Sequence, residues 1–406
     1  MDYIKAKKLL EKYGQQHLLR YYGELNDGER AELLSAISEI DFSILSCAAA
    51  DGKKGVGKLS PADAMPLEET AERFKEFYDA GINAIKRGKV AAVLLAGGQG
   101  TRLGIDAPKG TFNIGIEREL SIFACQMANL LQVAESAGEY PYLFVMTSTV
   151  NDGRTREFFK QNGYFGYRSD RIHFYVQRTA PAVSRDGKIL LEEKYKPVLT
   201  PNGNGGWYTS LKNSPCGKIL ERAGIEWLNV YGVDNVLQKI CDPVFIGATL
   251  LSGLPCSGKV VRKVSPEERV GVLCKENGLP AIVEYYELGE EYKSLRDNSG
   301  GLVYCYGVIL NYLFNVAQLD KISQKPLPYH FAEKKVSYIE DGVKVTPESP
   351  NAYKLETLTV DLIKLMGGCL GFEVERRKEF APVKNMTGTD SVDTARALLI
   401  ENGVKL

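Results

Sequence analysis

Apolar residues recur at helical spacing from Asp2 to about Arg87: Leu18, Leu19, Tyr22 and Leu25, then Leu33, Leu34, Ile37 and Ile40, then Phe74, Phe77, Ile82 and Ile85. The spacing predicts a helical N-terminal region over residues 1–88. Asp51-Gly-Lys-Lys-Gly-Val-Gly57 interrupts it with glycines and a basic pair, which suits a flexible turn between helices. At Lys89 the pattern changes. Val90 to Ala96 is a short apolar run that stops at glycines, as a strand buried on both faces of a parallel sheet would read. Glu119 to Ala137 follows as an amphipathic helix through Ile122, Phe123, Met127, Leu130, Leu131 and Val133. Tyr142 to Met146, Ile172 to Val176, Trp227 to Val233 and Phe245 to Leu250 are further strand candidates. This alternation predicts an α/β fold, a doubly wound, Rossmann-like core with right-handed crossovers. Glu276-Asn277-Gly278 between two extended runs signals a hairpin, so an antiparallel excursion makes the sheet mixed. The expected division is a helical region 1–88, a core 89–335 and a short C-terminal region 336–406.

Bulk composition narrows the class. A chain of 406 residues exceeds the usual single-core size, which favours two or three domains or one α/β domain with appendages. Its 51 basic and 51 acidic residues balance, so no global field favours nucleic acid or an anionic membrane, and any phosphate-binding charge must be local. The eight cysteines show neither CxxC nor zinc-type Cys/His spacing and read as buried apolar groups. No apolar run reaches membrane-spanning length, and the N-terminus lacks a signal-like apolar segment, so a cytoplasmic protein is expected. No protein partner is evident.

The chemistry concentrates after the first core strand. Leu95-Ala-Gly-Gly-Gln-Gly-Thr-Arg-Leu-Gly104 is followed by Ala107-Pro-Lys-Gly110. Glycines let the backbone approach a ligand and turn successive amides toward a phosphate chain. Arg102 and Lys109 add charge beside those amides, which together suit a polyphosphate. The loop is neither a Walker A motif, having no Gly-Lys-Ser/Thr, nor the dinucleotide fingerprint, because Gly98 and Gly100 are followed by Gly104, one residue too far. Pro201-Asn-Gly-Asn-Gly-Gly206 forbids regular structure and could present backbone groups to a flat base, or be a surface loop. Asp234, at the end of an apolar strand where α/β sheets place ligands, is either a Mg²⁺ ligand or a turn residue before Asn235. Glu284 and Asn311 stand in apolar runs, where a polar side chain needs a partner, either a sugar hydroxyl or another protein group. His17, His173 and His330 have no nucleophile or carboxylate at a recognisable spacing and read as structural.

LAGGQGTRLG with the following PKG resembles the nucleotide loop of eukaryotic-type UDP-N-acetylhexosamine pyrophosphorylases, with Gln99 separating it from the related UDP-glucose and UDP-sugar enzymes. The similarity continues in chain order through QHLLR (16–20), PNGNGG (201–206), YGVDN (231–235), FIG (245–247), VGV (270–272), VEY (283–285), Gly307 with Asn311, Tyr329-His330, Lys334-Lys335 and APVKN (381–385). The resemblance implies a nucleotidyltransferase that joins UTP to N-acetylglucosamine 1-phosphate and releases pyrophosphate, with Mg²⁺ as cofactor. It implies nucleotide contacts from Leu95, Ala96, Gly97, Gly98, Gly100, Gln177, Gly203 and Asn204, and sugar contacts from Gly271, Glu284, Asn311 and Lys335. It makes Asp234 the metal ligand and Arg102, Lys109 and Lys384 the catalytic cations. The chain departs from the pattern at Asn202, at Arg178-Thr179 and at Val308, where a polar residue beside the sugar is expected; it also ends soon after Thr394-Ala-Arg-Ala-Leu, where longer similar proteins continue into a β-rich domain. A UDP-glucose or broad UDP-sugar pyrophosphorylase would share the nucleotide half. A catalytically silent sensor would have no need of all four of Arg102, Lys109, Asp234 and Lys384.

Overall fold

The computed structural model describes residues 1–45 and 57–406. Nearly all of the glycine-rich stretch 51–57 therefore lies outside the described residues. The chain divides into two compact units, each assembled from three stretches. The first contains Met1–Gly55, Arg178–Gly206 and Leu327–Thr359; the second contains Val56–Gln177, Trp207–Pro326 and Val360–Leu406. The sequence segment 1–88 is thus shared between them, as are 89–335 and 336–406.

In the first unit, helices Tyr3–Lys12 and Asp27–Glu39 start as their sequences suggest. Asp2 caps one, and Asn26 with Glu29 forms a reciprocal capping box on the other. Leu18, Leu19 and Tyr22 sit in short 3₁₀ turns instead of a long helix. Ala6, Leu10, Leu18, Leu33 and Ile37 share a core with Val183, Ile189 and Leu355. The last group comes from small antiparallel pairings, among them His330–Lys334 on Ala352–Glu356.

The second unit is built on an eleven-stranded mixed sheet. Its main path runs Ala64–Met65, Leu370–Glu373, Cys256–Arg262, Tyr306–Asn315, Trp227–Gly232, Val90–Leu95, Tyr142–Thr147 and Ile172–Val176. The Trp227, Val90, Tyr142 and Ile172 strands are mutually parallel, and Tyr306–Asn315 runs antiparallel between its two neighbours. Val90–Leu95 is buried at every position, which explains why it reads as an unbroken apolar run. The expected hairpin is present: Val272–Glu276 pairs with Leu279–Val283 across Asn277 and Gly278, whose φ of 52° and 82° fit a primed turn.

Two expectations need correction. Leu59–Pro61 and Ala64–Met65 are strands within the region read as helical. Phe245–Leu250 is not a strand but part of helix Pro243–Ser252. Asp242 caps that helix by accepting from Val244 N–H, proline occupies its first turn, and Gly253 at φ 68° ends it. Burial on all sides erased the helical period, so the segment could not be told from a buried strand by pattern. Its backbone crosses helix Phe74–Lys86 closely: a Cβ at Gly247 would stand 1.8 Å from Phe77 O, and one at Gly81 would stand 1.9 Å from Pro243 O.

Candidate active site

Strands Val90–Leu95 and Trp227–Gly232 are in register, with Leu95 opposite Gly232, so the segments that leave their C-terminal ends start at one level of the sheet. Val233 N–H donates to Leu95 O at 3.2 Å and ties the two exits together. The glycine loop leaves the first strand. Asn151, wholly buried, holds it from behind: its Nδ2 donates to Ala96 O at 2.9 Å and Gly98 O at 3.3 Å, while its Oδ1 accepts from Ser148 N–H. Gly100 N–H to Ala107 O and Lys109 N–H to Gly98 O then fasten the loop to the Pro108 segment. By contrast, the amides of Gly97, Gly98, Gln99, Thr101 and Arg102 donate to no backbone carbonyl among the described residues. A run of free amides at the end of a parallel strand is an anion-binding arrangement. Gln177 lies against it, 7% exposed, with Nε2 only 2.7 Å from where a Cβ on Gly97 would stand. Arg102 is exposed.

Lys109 and Asp234 are brought into contact from these two neighbouring strand exits. Their Nζ and Oδ1 lie 2.5 Å apart, with the lysine side chain 13% exposed and the aspartate 42%. Asp234 also anchors the segment that carries Lys384, because Val383 N–H donates to Asp234 O at 2.8 Å. Asn235 adds a buried staple, giving Nδ2 to Glu379 O at 2.7 Å and accepting Ala381 N–H at 2.9 Å. Lys384 itself faces Asp390, Nζ to Oδ2 at 2.9 Å. Among the described residues no group of three or more His, Cys, Asp or Glu is arranged to cage a metal. A single half-exposed carboxylate still fits Mg²⁺, which takes one or two carboxylates and fills its remaining positions with phosphate oxygens and water.

Among the sugar candidates, Gly271, Glu284 and Val308 come together. A Cβ at Gly271 would meet Ile282 Cγ2 at 2.9 Å, Val308 Cγ2 at 3.3 Å and Glu284 Oε1 at 3.4 Å. Asn311 is wholly buried instead: its Oδ1 accepts from Asn229 Nδ2 at 2.7 Å and its Nδ2 donates to Lys239 O at 3.1 Å. Of the two readings open in the sequence, this geometry is that of the protein-internal partner, and a sugar contact would require that network to open.

Gly203, Asn204 and Lys335 belong to the first unit. Gly203 takes φ 80°, and a Cβ there would fall 2.3 Å from Thr357 O. Asn204 Oδ1 accepts Thr359 N–H at 2.8 Å, and Gly205 N–H donates to Thr357 O at 2.8 Å, so the loop is packed on residues 357–359. Lys335 is exposed. Of the histidines read as structural, His17 is tied to the backbone: its Nε2 lies 2.7 Å from Ile189 O, and burial pushes its pKa below the ordinary value. Sequence reasoning missed Asn151, Asn235 and Asp390. Asn151 does precede helix Asp152–Gln161, a position that signals a helix start but not support of a distant loop.

The profile of UTP–glucose-1-phosphate uridylyltransferases matches residues 56–401. A human UDP-N-acetylhexosamine pyrophosphorylase-like protein 1 is 37% identical over 96% of this chain and 82% of its own length. The Saccharomyces cerevisiae UDP-N-acetylglucosamine pyrophosphorylase is 33% identical over 98% and 90%. The crystal structure of the uridine diphosphate N-acetylglucosamine pyrophosphorylase from Trypanosoma brucei superimposes with a TM-score of 0.84 at 28% identity, covering 98% of this chain and 84% of that one. A glycine loop with free amides, two lysines and a strand-end aspartate therefore stands in a chain that, along nearly its whole length, belongs to the UTP–glucose-1-phosphate uridylyltransferase family, with eukaryotic UDP-N-acetylhexosamine pyrophosphorylases among its relatives.

Proposed function

We propose that this chain is a uridylyltransferase that joins UTP to N-acetylglucosamine 1-phosphate, forming UDP-N-acetylglucosamine and pyrophosphate. The observation that carries the reading is the convergence of Lys109, Asp234 and the Lys384 segment beside a loop of free amides. A phosphate oxygen of the sugar 1-phosphate bonds to the α-phosphorus of UTP while the bond to the β-phosphate bridging oxygen breaks in line. The attacking oxygen is already anionic, so no general base is required. The task is to hold two repelling polyanions and neutralise developing charge. Arg102, Lys109 and the amides of the glycine loop hold the β- and γ-phosphates, and Lys384 steadies the reacting α-phosphate. Asp234 would hold Mg²⁺, which would supply charge neutralisation for the triphosphate when bound. Gln177 is assigned to the uracil, and Gly271 and Glu284 to the sugar. Gly203, Asn204 and Lys335 keep the substrate roles that the resemblance gives them. The described cysteines are free, which suits the cytoplasmic location proposed here; no helix among the described residues is long and apolar enough to cross a membrane.

Pyrophosphate release from UTP and a panel of sugar 1-phosphates, with and without excess chelator, tests the reading. Release with N-acetylglucosamine 1-phosphate that stops on chelation is expected. No release with any sugar would leave the silent sensor, and full release in chelator would remove the metal from Asp234. The apolar Val308 and the engaged Asn311 favour a second reading, a broader UDP-sugar pyrophosphorylase, which glucose 1-phosphate in the same panel distinguishes.

A further inference from the structure

Lys384 hangs from a backbone fixed on several sides. Val383 N–H donates to Asp234 O, Val236 N–H to Ala381 O at 3.2 Å, and the Asn235 side chain grips Glu379 O and Ala381 N–H. Beyond Lys384 the chain makes a tight loop and returns into helix Val392–Glu401. Val392 N–H closes that loop on Asn385 O at 3.0 Å, and Ser391 caps the helix with Thr394. Asp390 sits in the loop at φ 53°, a left-handed conformation that Asp and Asn tolerate better than other side chains. Its backbone carbonyl accepts Lys384 N–H at 2.7 Å and Asn385 N–H at 3.1 Å. None of these bonds uses the Asp390 carboxylate. The carboxylate is spent on Lys384 Nζ, 2.9 Å away, with both side chains about one third exposed at 35% and 27%.

The fold of this corner therefore does not depend on that carboxylate, whereas the direction of the lysine does. A lysine is a point charge on a flexible stem, and electrostatic catalysis requires the charge to be in place before the reaction begins. We propose that Asp390 is a positioning residue for uridylyl transfer: its carboxylate aims the Lys384 ammonium, and its left-handed backbone presents the Lys384 segment. The role rests on the reaction proposed above. It does not make Asp390 a catalytic residue, since nothing places it on the reacting atoms.

The test is a double-mutant cycle on the full chain with UTP and N-acetylglucosamine 1-phosphate. Asp390→Asn keeps the shape and suits the left-handed backbone, so thermal stability should stay near the parent's. In the parent background it should lower kcat by about tenfold or more while KM for UTP moves less than about threefold. Placed on Lys384→Ala, which has no ammonium to aim, it should change kcat by less than about twofold. An Asp390→Asn enzyme with parental kcat overturns the proposal, as does an equal loss in both backgrounds, which is the mark of a general structural role. A parent without pyrophosphate release removes the reaction itself, an outcome distinct from an active parent that ignores Asp390.

Discussion

Lys109 and Lys384 each meet a carboxylate, but the pairs differ in what substrate must do to them. Lys109 contacts the proposed metal ligand, so an incoming triphosphate competes for its ammonium, whereas Lys384 is held by a residue outside the reacting groups. Lys384→Ala should lower turnover by about 10² to 10³, the usual worth of one well-placed electrostatic group, with UTP binding little altered. Near-normal kcat in that variant would return Lys384 to a surface charge. His17 offers a different residue-scale test. Burial lowers its pKa, and the charges of Lys188 and Arg20 lower it further against the opposing bond to Ile189 O, so the folded ring stays neutral while the unfolded one would protonate. Stability from this source is present above about pH 6.5 and is lost as pH falls toward the folded value. The slope of stability against pH between about 7.5 and 5.5 should be shallower in His17→Gln, and an unchanged slope would clear His17 of the effect. Residues on the glycine loop and strand ends were legible because their types and positions match phosphate chemistry. Asp390 was not, since its significance lies in a loop closure that Met386-Thr-Gly-Thr does not announce. Asn311 had two readings, and Asn229, 82 positions away, supplies the partner of the internal one.

At the scale of elements, a buried charge cluster joins the pieces behind the reacting groups. Lys259 on strand Cys256–Arg262 is wholly buried, with Nζ at 2.9 Å from Asp242 Oδ2 and 2.5 Å from Glu379 Oε2. Burial alone would pull its pKa down, but the two carboxylates outweigh that and hold it above the ordinary lysine value. Asp242 also caps helix Pro243–Ser252, and Glu379 ends the short helix before the Lys384 segment. Lys259→Met would strand two carboxylates in the interior, and losing one partner of a buried pair typically costs about 3–5 kcal/mol. The expected readout is an unfolding free energy, from denaturant titration, lowered by that amount and recovered in part when Asp242→Asn and Glu379→Gln are added. A single variant within about 1 kcal/mol of the parent would show that the cluster is dispensable. None of this is visible in pattern, because Asp242 and Lys259 stand 17 positions apart on different elements and Glu379 lies 120 positions further on. The parallel strands Val90–Leu95, Tyr142–Thr147 and Trp227–Gly232 are visible, since each is an almost wholly buried run, whereas Ile172–Val176 at the sheet edge is buried only in part. Helix Pro243–Ser252 reads as a strand for the same reason, while its Asp-Pro start and Gly end are the signals of a helix.

For the whole molecule, the assembly of each unit from three stretches is what the sequence least disclosed: helical period locates Asp27–Glu39 through Leu33, Leu34 and Ile37, but not that its unit is completed by residues 178–206 and 327–359. A phosphate site is nevertheless readable, because the glycine loop and the strand-end aspartate both belong to one sheet whose strands announce themselves, and the reaction class follows from the resemblance carried by LAGGQGTRLG and PKG. Sugar choice is harder, and the structure sharpens it. With Asn311 engaged by Asn229 and Lys239, the polar readout proposed for the sugar falls to the Gly271 and Glu284 corner, where Val308 contributes a methyl surface. A site that hydrogen-bonds a substrate group rejects an analogue lacking it, since each unmade buried bond costs about 1–3 kcal/mol. Glucose 1-phosphate should therefore be poorer than N-acetylglucosamine 1-phosphate by at least about tenfold in kcat/KM. Glu284→Ala should narrow the ratio, because it removes the carboxylate beside Gly271. Val308→Asn should widen it by adding a polar group at the same corner. Asn311→Ala should instead lower stability with the ratio little changed, since it strips a partner from buried Asn229 and Lys239 O and leaves that corner intact. Equal efficiencies for the two sugars in the parent would replace the N-acetylhexosamine assignment with the broad UDP-sugar one and leave the uridylyl-transfer chemistry untouched. A ratio that collapses on Asn311→Ala while Glu284→Ala leaves it alone would return the sugar contact to Asn311 and require its buried network to open when substrate binds.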